Sequence, residues 1–379
     1  MAHDTMKTVL LDKIGSVTLN CRLPREVRVG GEIPAVEGGV IAARVLTAKS
    51  TYNTLELPSG RFSQVKPGDV IAGALGHRKA LFGYSGHVPE EVKVGDKLNL
   101  LNLGGVIGVH DGGSPDLGVP FVVELLGQVL HFPFLGERIG VPAHITQGAL
   151  PIVDKLDVRG IPVVAIVGSC MNAGKTAAAC SLVQSFTHAG LRVGAGKTTG
   201  VSLRRDILSM EDAGAKQVLM FTDLGIVTTT PNTAPQAART ILNNLAREKP
   251  DVIVLELGDG LLGLYGVNEI LATPEIRESF SAVVLAASDP VAAWGGVQLL
   301  RDRYGIDCTV ITGPATDNTA AARLVEEQAG CPALNARSQA EQLARVVTDK
   351  IGLAQKVAAR NGENGSKSFA AAAGGHDDV

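Results

Sequence analysis

The spacing of hydrophobic residues divides the chain into two parts with different sequence patterns. In residues 38–132, short runs rich in β-branched residues alternate with turns rich in glycine, proline and asparagine. This pattern is typical of β-strands, and no long helical pattern interrupts it. We therefore predict a compact β-rich domain over residues 1–150, either a barrel or a sandwich. The runs are GGVIAARVLTA, YNTLELPSGRF, KPGDVIAGAL, DKLNLLNLGGVIGVH and PFVVELLGQVLHF.

From Ile161 onward, continuous apolar runs alternate with helical patterns. IPVVAIVG is typical of a strand buried on both faces, and residues 176–190 place apolar side chains at helical spacing. Strands that alternate with helices in this way form parallel sheets with right-handed crossovers. We therefore predict an α/β domain with a mostly parallel sheet over residues 151–354. The boundary between the two domains is expected within residues 145–162.

Composition narrows the classes of function. The chain is 45% hydrophobic, 19% charged and 4% aromatic, with a formal net charge of −3, which is not the signature of a nucleic-acid-binding protein. Its five cysteines are scattered, which argues against a disulfide framework or a zinc site. No apolar run reaches the roughly 18 to 20 residues of a membrane helix, and no signal-peptide pattern precedes the first domain. We expect a cytoplasmic protein without nucleic-acid or membrane partners, and a disordered low-complexity tail over residues 355–379.

The most informative segment is GSCMNAGKTAAA, Gly168 to Ala179. It lies between a predicted strand and a predicted helix, which is the setting of a phosphate-binding loop. In such a loop, backbone N–H groups and the helix dipole hold phosphates, Lys175 reaches the β- and γ-phosphates, and the Thr176 hydroxyl binds Mg²⁺. Five residues separate Gly168 from Gly174, one more than in the usual motif. The predicted nucleotide-binding residues here are Gly168, Asn172, Ala173, Gly174, Lys175 and Thr176.

The longer loop resembles that of dethiobiotin synthetase. More widely, residues of about 161–335 resemble the SIMIBI group of P-loop NTPases, which includes the cobyrinic acid amidases and the partition ATPases. The resemblance implies Mg²⁺ and ATP as cofactors, a small carboxylate-type substrate, and a homo-oligomer such as a dimer. The N-K-x-D signature of a guanine pocket is absent, which also favours ATP over GTP. The resemblance does not cover residues 1–150.

The resemblance also implies roles for residues at the ends of later strands. Glu256, at the end of DVIVLE, matches an acidic residue that would hold Mg²⁺, and Asp259 is a second candidate. Lys197, in GKTTG, matches a lysine that helps to bind substrate and stabilises the transferring charge. The predicted catalytic residues are Lys175, Lys197 and Glu256. The predicted metal ligands are Thr176, Asp206 and Glu256, with Asp212 and Asp223 as alternatives to Asp206.

Substrate and base contacts are expected from loops at the same edge of the sheet. Arg204 or Arg205 could bind a substrate carboxylate with two hydrogen bonds. Thr229 belongs to a hydroxyl-rich turn that could line the pocket or cap a helix. The predicted contacts of the nucleotide base, after the late strands, are Thr312, Gly313, Pro314 and Asn318.

Residues 72–90 are the densest polar stretch of the N-terminal part. Four interpretations stay open: a pocket for an anionic substrate, a metal site that uses His77, His87 and His110, solvated charges at hairpin tips, or contacts within an oligomer. The residues concerned are His77, Arg78, Lys79, Tyr84 and His87, with His110, Asp111 and Asp116 from a second segment.

These patterns predict an ATP- and Mg²⁺-dependent enzyme, a ligase or a kinase, that activates a carboxylate-type substrate by phosphoryl transfer. A phosphate loop alone leaves other functions open. One is an acyltransferase whose loop binds the phosphates of coenzyme A. Another is an NTPase switch or metallochaperone, and a third is a regulatory binding module without turnover.

Overall fold

The N-terminal part of the chain is built almost wholly from strands. The computed structural model describes residues 6–134, 136 and 139–359. Within the described residues up to 160, helical turns occur only as two short 3₁₀ segments, Ser16–Cys21 and Pro115–Leu117. The strands are β1 (Lys7–Leu10), β2 (Lys13–Ile14), β3 (Glu26–Gly30), β4 (Val40–Val45), β5 (Thr54–Glu56), β6 (Phe62–Gln64), β7 (Val70–Leu75), β8 (Arg78–Lys79), β9 (Tyr84–His87), β10 (Lys97–Leu100), β11 (Val106–Gly113), β12 (Val122–His131) and β13 (Val141–Pro142).

Five of these strands pair in a closed ring. β12 pairs with β4, β4 with β7, β7 with β11, β11 with β10, and β10 again with β12; only the β7–β11 pair is parallel. Alternate residues of β4 belong to different apolar clusters, with Ile41 and Ala43 in one and Val40 and Ala42 in the other. Both faces of the ring are therefore covered, because side chains along a strand point alternately to its two sides. We call residues 6–134 the barrel part.

The second part is an α/β unit with a six-stranded sheet. Every pair in this sheet is parallel, in the order β16–β15–β17–β14–β18–β19, which confirms the predicted α/β class beside a smaller β-rich domain. Its strands are β14 (Val163–Gly168), β15 (Val193–Lys197), β16 (Gln217–Met220), β17 (Val252–Glu256), β18 (Phe280–Ala286) and β19 (Val310–Thr312). Its helices are α1 (Lys175–His188), α2 (Arg205–Asp212), α3 (Ala234–Arg247), α4 (Val267–Ala272), α5 (Pro274–Glu278), α6 (Pro290–Tyr304), α7 (Thr319–Ala329) and α8 (Ala340–Lys350).

The central strands bring the functional loops to one edge. All six residues of β14 are buried, as the continuous apolar run predicts for a strand covered on both faces. Because the strands are parallel, their carboxyl ends lie together, and ligands of such sheets bind outside that edge. The loops after β14, β15 and β17 begin at Gly168, Lys197 and Glu256, so these segments meet there.

The sequence patterns missed two elements between Gly200 and Phe221. This segment looked only polar and rich in glycine, yet it forms helix α2 and strand β16. β16 lies at the edge of the sheet, and three of its four residues are only partly buried, so it lacks the continuous apolar run of a central strand. Of the predicted tail, residues 355–359 are helical, and residues 360–379 lie outside the described residues.

This segment and the loop after β16 contact the barrel part. The Asn102 side chain donates to the Ser202 carbonyl at 2.6 Å, and the Thr228 hydroxyl donates to the His77 carbonyl at 2.6 Å. Val227 joins the apolar cluster of the barrel part. The barrel part is thus hydrogen-bonded to loops at the carboxyl edge of the parallel sheet. No helix in the described part of the chain combines the length and apolar character needed to cross a bilayer.

Candidate functional site

The loop between β14 and α1 is folded tightly around the Lys175 side chain. Its Nζ donates to the Cys170 carbonyl at 2.8 Å and also contacts the Asp259 carbonyl. A Cβ at Gly168 would lie 2.8 Å from Cδ of Lys175, so glycine leaves room for the lysine. Asn172 and Gly174 have φ of 61° and 95°, left-handed values that turn the chain into the helix. The loop thus forms a tight strand-to-helix turn that contains the predicted lysine, despite the extra residue.

The start of α1 is electrostatically suited to an anion. The first N–H groups of any helix have no carbonyl one turn earlier to bind, and the helix dipole adds about half a positive charge there. No acidic side chain lies in the first turn of α1, and Lys175 is its first residue. The start of α1 therefore combines a buried cation with N–H groups that favour an anion.

Beside the loop, one lysine and two carboxylates form a buried cluster. Lys197 Nζ is hydrogen-bonded to Asp206 and lies 3.8 Å from Oε1 of Glu256. The Thr176 hydroxyl donates to the same Oε1 at 3.2 Å. The second oxygen of Glu256, Oε2, is buried without a hydrogen-bond partner. The cluster therefore links β15, α2 and β17 to the first turn of α1.

The pKa values of Lys197, Asp206 and Glu256 depend on the charges that these side chains exert on one another. Burial disfavours the charged form of Lys197, but Asp206 and Glu256 outweigh it and raise the lysine's pKa. Burial would raise the pKa of Asp206, but Lys197 and then Arg205 hold it below its ordinary value. Burial raises the pKa of Glu256, in part opposed by Lys197. Burial also lowers the pKa of Lys175. Lys197 and Asp206 thus form a charged pair at neutral pH.

Asp259 is a second buried carboxylate next to the loop. It has φ of 72°, and neither oxygen of its side chain has a hydrogen-bond partner. Its carboxylate turns toward Gly263, where a Cβ would lie 2.6 Å from Oδ2. Burial raises its pKa, and Lys175 acts in the opposite direction.

A cavity of about 580 Å³ joins these groups to the barrel part. Its wall on the sheet side includes the loop, the lysine–carboxylate cluster and Asp259, and its other wall comes from the barrel part. The barrel residues that line it are Tyr52, Arg78, Ala80, Phe82, Gly83, Asn102, Leu103 and Leu117. Positive side chains outnumber negative ones: the cationic ones are Arg78, Lys175, Lys197, Arg205 and Arg337, and the anionic ones are Asp206, Glu256 and Asp259.

Half of the predicted site residues line this cavity. Those that line it are Asn172, Gly174, Lys175, Thr176, Lys197, Arg205, Asp206 and Glu256. Asp212 and Asp223, the alternatives to Asp206, do not line it. The Asp223 side chain instead accepts from the backbone N–H of Met220 at 2.8 Å. Asp206 is therefore the acidic residue of this segment that reaches the cavity.

Two predicted substrate contacts have structural roles instead. Thr229 is buried, and its hydroxyl donates to the Tyr265 carbonyl at 2.8 Å and accepts from the N–H of Gly200 at 2.9 Å, so it joins two loops. Arg204 precedes α2 and does not line the cavity, whereas Arg205 does. Of the two arginines, only Arg205, the first residue of α2, lines the cavity.

The predicted contacts of the nucleotide base also lie outside the cavity. Thr312 is fully buried and accepts from the N–H of Ala336 at 2.9 Å, while Asn318 caps α7 by accepting from Ala320 at 2.8 Å. Gly313 and Pro314 pack against the phosphate loop: a Cβ on Gly174 would lie 3.3 Å from the Gly313 Cα and 3.7 Å from the Pro314 Cδ. This segment therefore supports the back of the loop.

Sequence patterns did not identify several residues of the cavity wall. Tyr52, Asn102 and the distant Arg337 line the cavity, but none belongs to a motif. Arg78 belonged to the basic cluster of residues 72–90, whose role was open. The docking of the barrel part on the parallel sheet brings Tyr52, Arg78 and Asn102 into the same cavity as the loop after β14.

The histidines of residues 72–90 and His110 each have separate partners. His87 pairs with Asp111 at 2.7 Å near the surface, and the His110 ring packs edge-on against Tyr84 with centroids 5.4 Å apart. Among the described residues, no three His, Cys, Asp or Glu side chains are close enough together to hold a metal ion. Of the four interpretations, the metal site therefore has no support from the geometry of the described residues.

A carboxylate of the barrel part holds the N-terminus of α2. Glu56 is fully buried, accepts from the Arg204 N–H at 2.7 Å and is hydrogen-bonded to the Ser16 hydroxyl. Because α2 carries Asp206, this contact positions an acidic residue of the site from the barrel part.

Replacing Glu56 with alanine is expected to lower the free energy of unfolding by about 1–3 kcal/mol, because two buried donors lose their acceptor. Glu56→Gln should cost much less, since an amide oxygen can still accept from both donors. Urea unfolding of both variants, beside Glu91→Gln at an exposed position, measures the difference. An equal loss in Glu56→Ala and Glu56→Gln would contradict the assigned role as acceptor.

No model of a known protein family matches the chain, and no curated protein is significantly similar to it. Among solved structures, the signal recognition particle receptor FtsY from Elizabethkingia anophelis aligns with 13% identity and a TM-score of 0.36, over 49% of this chain and 65% of that one. The signal recognition particle 54 kDa protein from Aeropyrum pernix, solved with GDP, aligns with 16% identity and a TM-score of 0.35, over 55% and 50%. A DUF1611 family protein from Anabaena variabilis aligns with 16% identity and a TM-score of 0.37, over 52% and 62%. The chain thus spans less than two thirds of each of these chains, and at these scores the likenesses carry no argument about what the cavity binds.

Proposed function

We propose that this protein is an ATP- and Mg²⁺-dependent enzyme that activates a small carboxylate-type substrate by phosphoryl transfer. One observation carries the proposal. The phosphate-type loop with Lys175 and Thr176 shares one cavity with the buried cluster of Lys197, Asp206 and Glu256. A polyphosphate site beside a fixed, buried cation is the arrangement that phosphoryl transfer requires.

The phosphates of ATP would lie on the N–H groups at the start of α1, with Lys175 against the β- and γ-phosphates. In the present structure Lys175 donates to carbonyls of its own surroundings, and a phosphate would exchange these acceptors for a charged one. The Thr176 hydroxyl and Glu256, with its unpartnered Oε2, fit Mg²⁺, because that ion prefers oxygen ligands and binds few carboxylates at a time. When bound, the ion would neutralise charge on the phosphates.

Lys197 would face the transferring phosphoryl group, and Asp206 would hold its side chain in place. A carboxylate oxygen of the substrate would attack the γ-phosphorus, and the bond to the bridging oxygen of ADP would break. The acyl phosphate would then be released, which is a kinase outcome, or captured by a second nucleophile with loss of phosphate, which is a ligase outcome. Positioning and charge stabilisation would supply most of the acceleration.

Trapping of the acyl phosphate tests this proposal. The protein is incubated with ATP, Mg²⁺, hydroxylamine and a pool of small carboxylic acids, and hydroxamate and ADP are measured. We expect hydroxamate that depends on ATP, Mg²⁺ and the acids together. ADP formation without hydroxamate would favour the NTPase switch instead.

Thermal unfolding with ATP·Mg²⁺, GTP·Mg²⁺ or coenzyme A at equal concentrations compares the alternative ligands. We expect the largest stabilisation from ATP·Mg²⁺, of about 2.7 kcal/mol at 100 times its Kd. A selective response to GTP·Mg²⁺ would contradict the choice of nucleotide. A selective response to coenzyme A would favour the acyltransferase, and nucleotide binding without any turnover would favour a regulatory module.

A further inference from the structure

We propose that the wall of the barrel part around Arg78 binds a carboxylate of the acceptor substrate. The inference rests on the proposed function and assigns to the barrel part the recognition of the molecule that receives the phosphoryl group. Arg78 lines the same cavity as Lys175 and Lys197 but belongs to the opposite wall. A ligand between the two walls would therefore contact the phosphate loop on one side and Arg78 on the other.

The burial of Arg78 is the first argument. The residue is 3% exposed, and within the described part of the chain it forms no ion pair with a carboxylate. Its Nε is buried without a hydrogen-bond partner. A buried guanidinium is costly unless a charged or polar acceptor compensates it. A carboxylate from the substrate would supply that acceptor.

The local structure holds the guanidinium in one orientation. Its Nη1 donates to the Tyr52 hydroxyl at 3.2 Å and to the Leu101 carbonyl. Its Nη2 lies against Gly83, which has φ of 119° and where a Cβ would collide with that nitrogen. These two hydrogen bonds and the contact with Gly83 thus fix the plane of the guanidinium group. A fixed guanidinium plane suits carboxylates, which it can bind through two parallel hydrogen bonds.

The residues beside Arg78 suit a small organic acid better than a second phosphate chain. Phe82 and Leu117 line the same wall and offer apolar surface, while Tyr52 and Asn102 are neutral and polar. A guanidinium flanked by apolar surface would bind the carboxylate and pack against the carbon chain of the acid. The polyphosphate, in contrast, has its own cations on the opposite wall.

Ligand-induced stabilisation by a panel of simple acids tests the site. The probes are linear mono- and dicarboxylates of two to eight carbons, each beside its neutral amide, with and without Mg²⁺ and a non-hydrolysable ATP analogue. We expect at least one acid to stabilise the wild type while its amide does not. Arg78→Gln should weaken that acid's binding at least tenfold, Arg78→Lys should weaken it less, and the exposed Arg44→Gln should leave it unchanged.

Several outcomes would overturn the inference. These are wild-type affinity in Arg78→Gln, stabilisation by amides as well as acids, and a panel in which no acid stabilises the wild type. The nucleotide response of each variant is measured in parallel, and Arg78→Gln should keep it. If an acid stabilises the protein in a way that depends on Arg78, but ATP does not bind, the proposed function is contradicted and the carboxylate site is still supported.

A second variant covers the case in which Arg78→Gln does not fold. Tyr52→Phe removes only the hydroxyl that orients Nη1. It should raise the Kd of the stabilising acid about three- to tenfold and leave the nucleotide response intact. An unchanged Kd would count against the role of Arg78.

Discussion

Replacing Lys175 with alanine is expected to abolish binding of ATP·Mg²⁺ and all turnover. The side chain is 6% exposed and is the cation nearest to the N–H groups at the start of α1. Without it, the phosphates would lose their closest positive charge, while the buried Glu256 would still repel them. In thermal unfolding, the stabilisation of about 2.7 kcal/mol expected at 100 times the wild-type Kd should vanish.

Two controls make the result specific. Lys155→Ala, at an exposed position outside the cavity, should keep the full nucleotide response. The unliganded Lys175→Ala protein should still unfold in one cooperative transition, which shows that the loop and not the fold was changed. Wild-type stabilisation of Lys175→Ala by ATP·Mg²⁺ would show that the polyphosphate does not lie on this loop.

Replacing Lys197 with methionine should leave nucleotide affinity within a few-fold of wild type and lower the rate of phosphate release from ATP about 10²- to 10³-fold. The expected loss of rate is what one preorganised group that stabilises transition-state charge contributes in other enzymes. Lys197 pairs with Asp206 and Glu256 and makes no hydrogen bond to the loop itself. Equilibrium binding and steady-state phosphate release, with and without the pooled acids, separate the two effects.

The same substitution should also destabilise the fold, because it leaves the mostly buried Asp206 with only its 3.5 Å contact to the exposed Arg205. Breaking a buried pair on one side typically costs about 3–5 kcal/mol. The double variant Lys197→Met/Asp206→Asn should recover part of this loss, since no unpaired charge remains on that pair, but it should stay inactive. If Lys197→Met turns over like wild type, or if the double variant regains activity, Lys197 is only structural.

Local patterns predicted the elements of the α/β part well where strands are buried on both faces. IPVVAIVG and DVIVLE became the central strands β14 and β17, because a strand covered by helices on both sides needs a continuous apolar run. The edge strand β16 was missed, since one exposed side removes that requirement. The phosphate loop was also visible, because its turn and helix start depend on neighbouring residues alone.

The strand ends predicted which residues meet, but not the direction of each side chain. Lys197, Asp206 and Glu256 come together as expected, because parallel strands end at one edge. The choice between Arg204 and Arg205 depended on where α2 begins beside the cavity. The role of Thr229 depended on which buried donors lacked an acceptor. Neither quantity can be read from the spacing of residues in the chain.

The sequence by itself determined the α/β class, the β-rich part and the strand-to-helix turn before Lys175, because each depends on periodicity or on a short run of residues. Only the tertiary structure decided what faces that turn. Arg78 lies 97 positions before Lys175 in the chain, and the two share a cavity because the barrel part is hydrogen-bonded to the carboxyl edge of the sheet. Such a contact follows from the packing of two folded surfaces, and no local pattern encodes it.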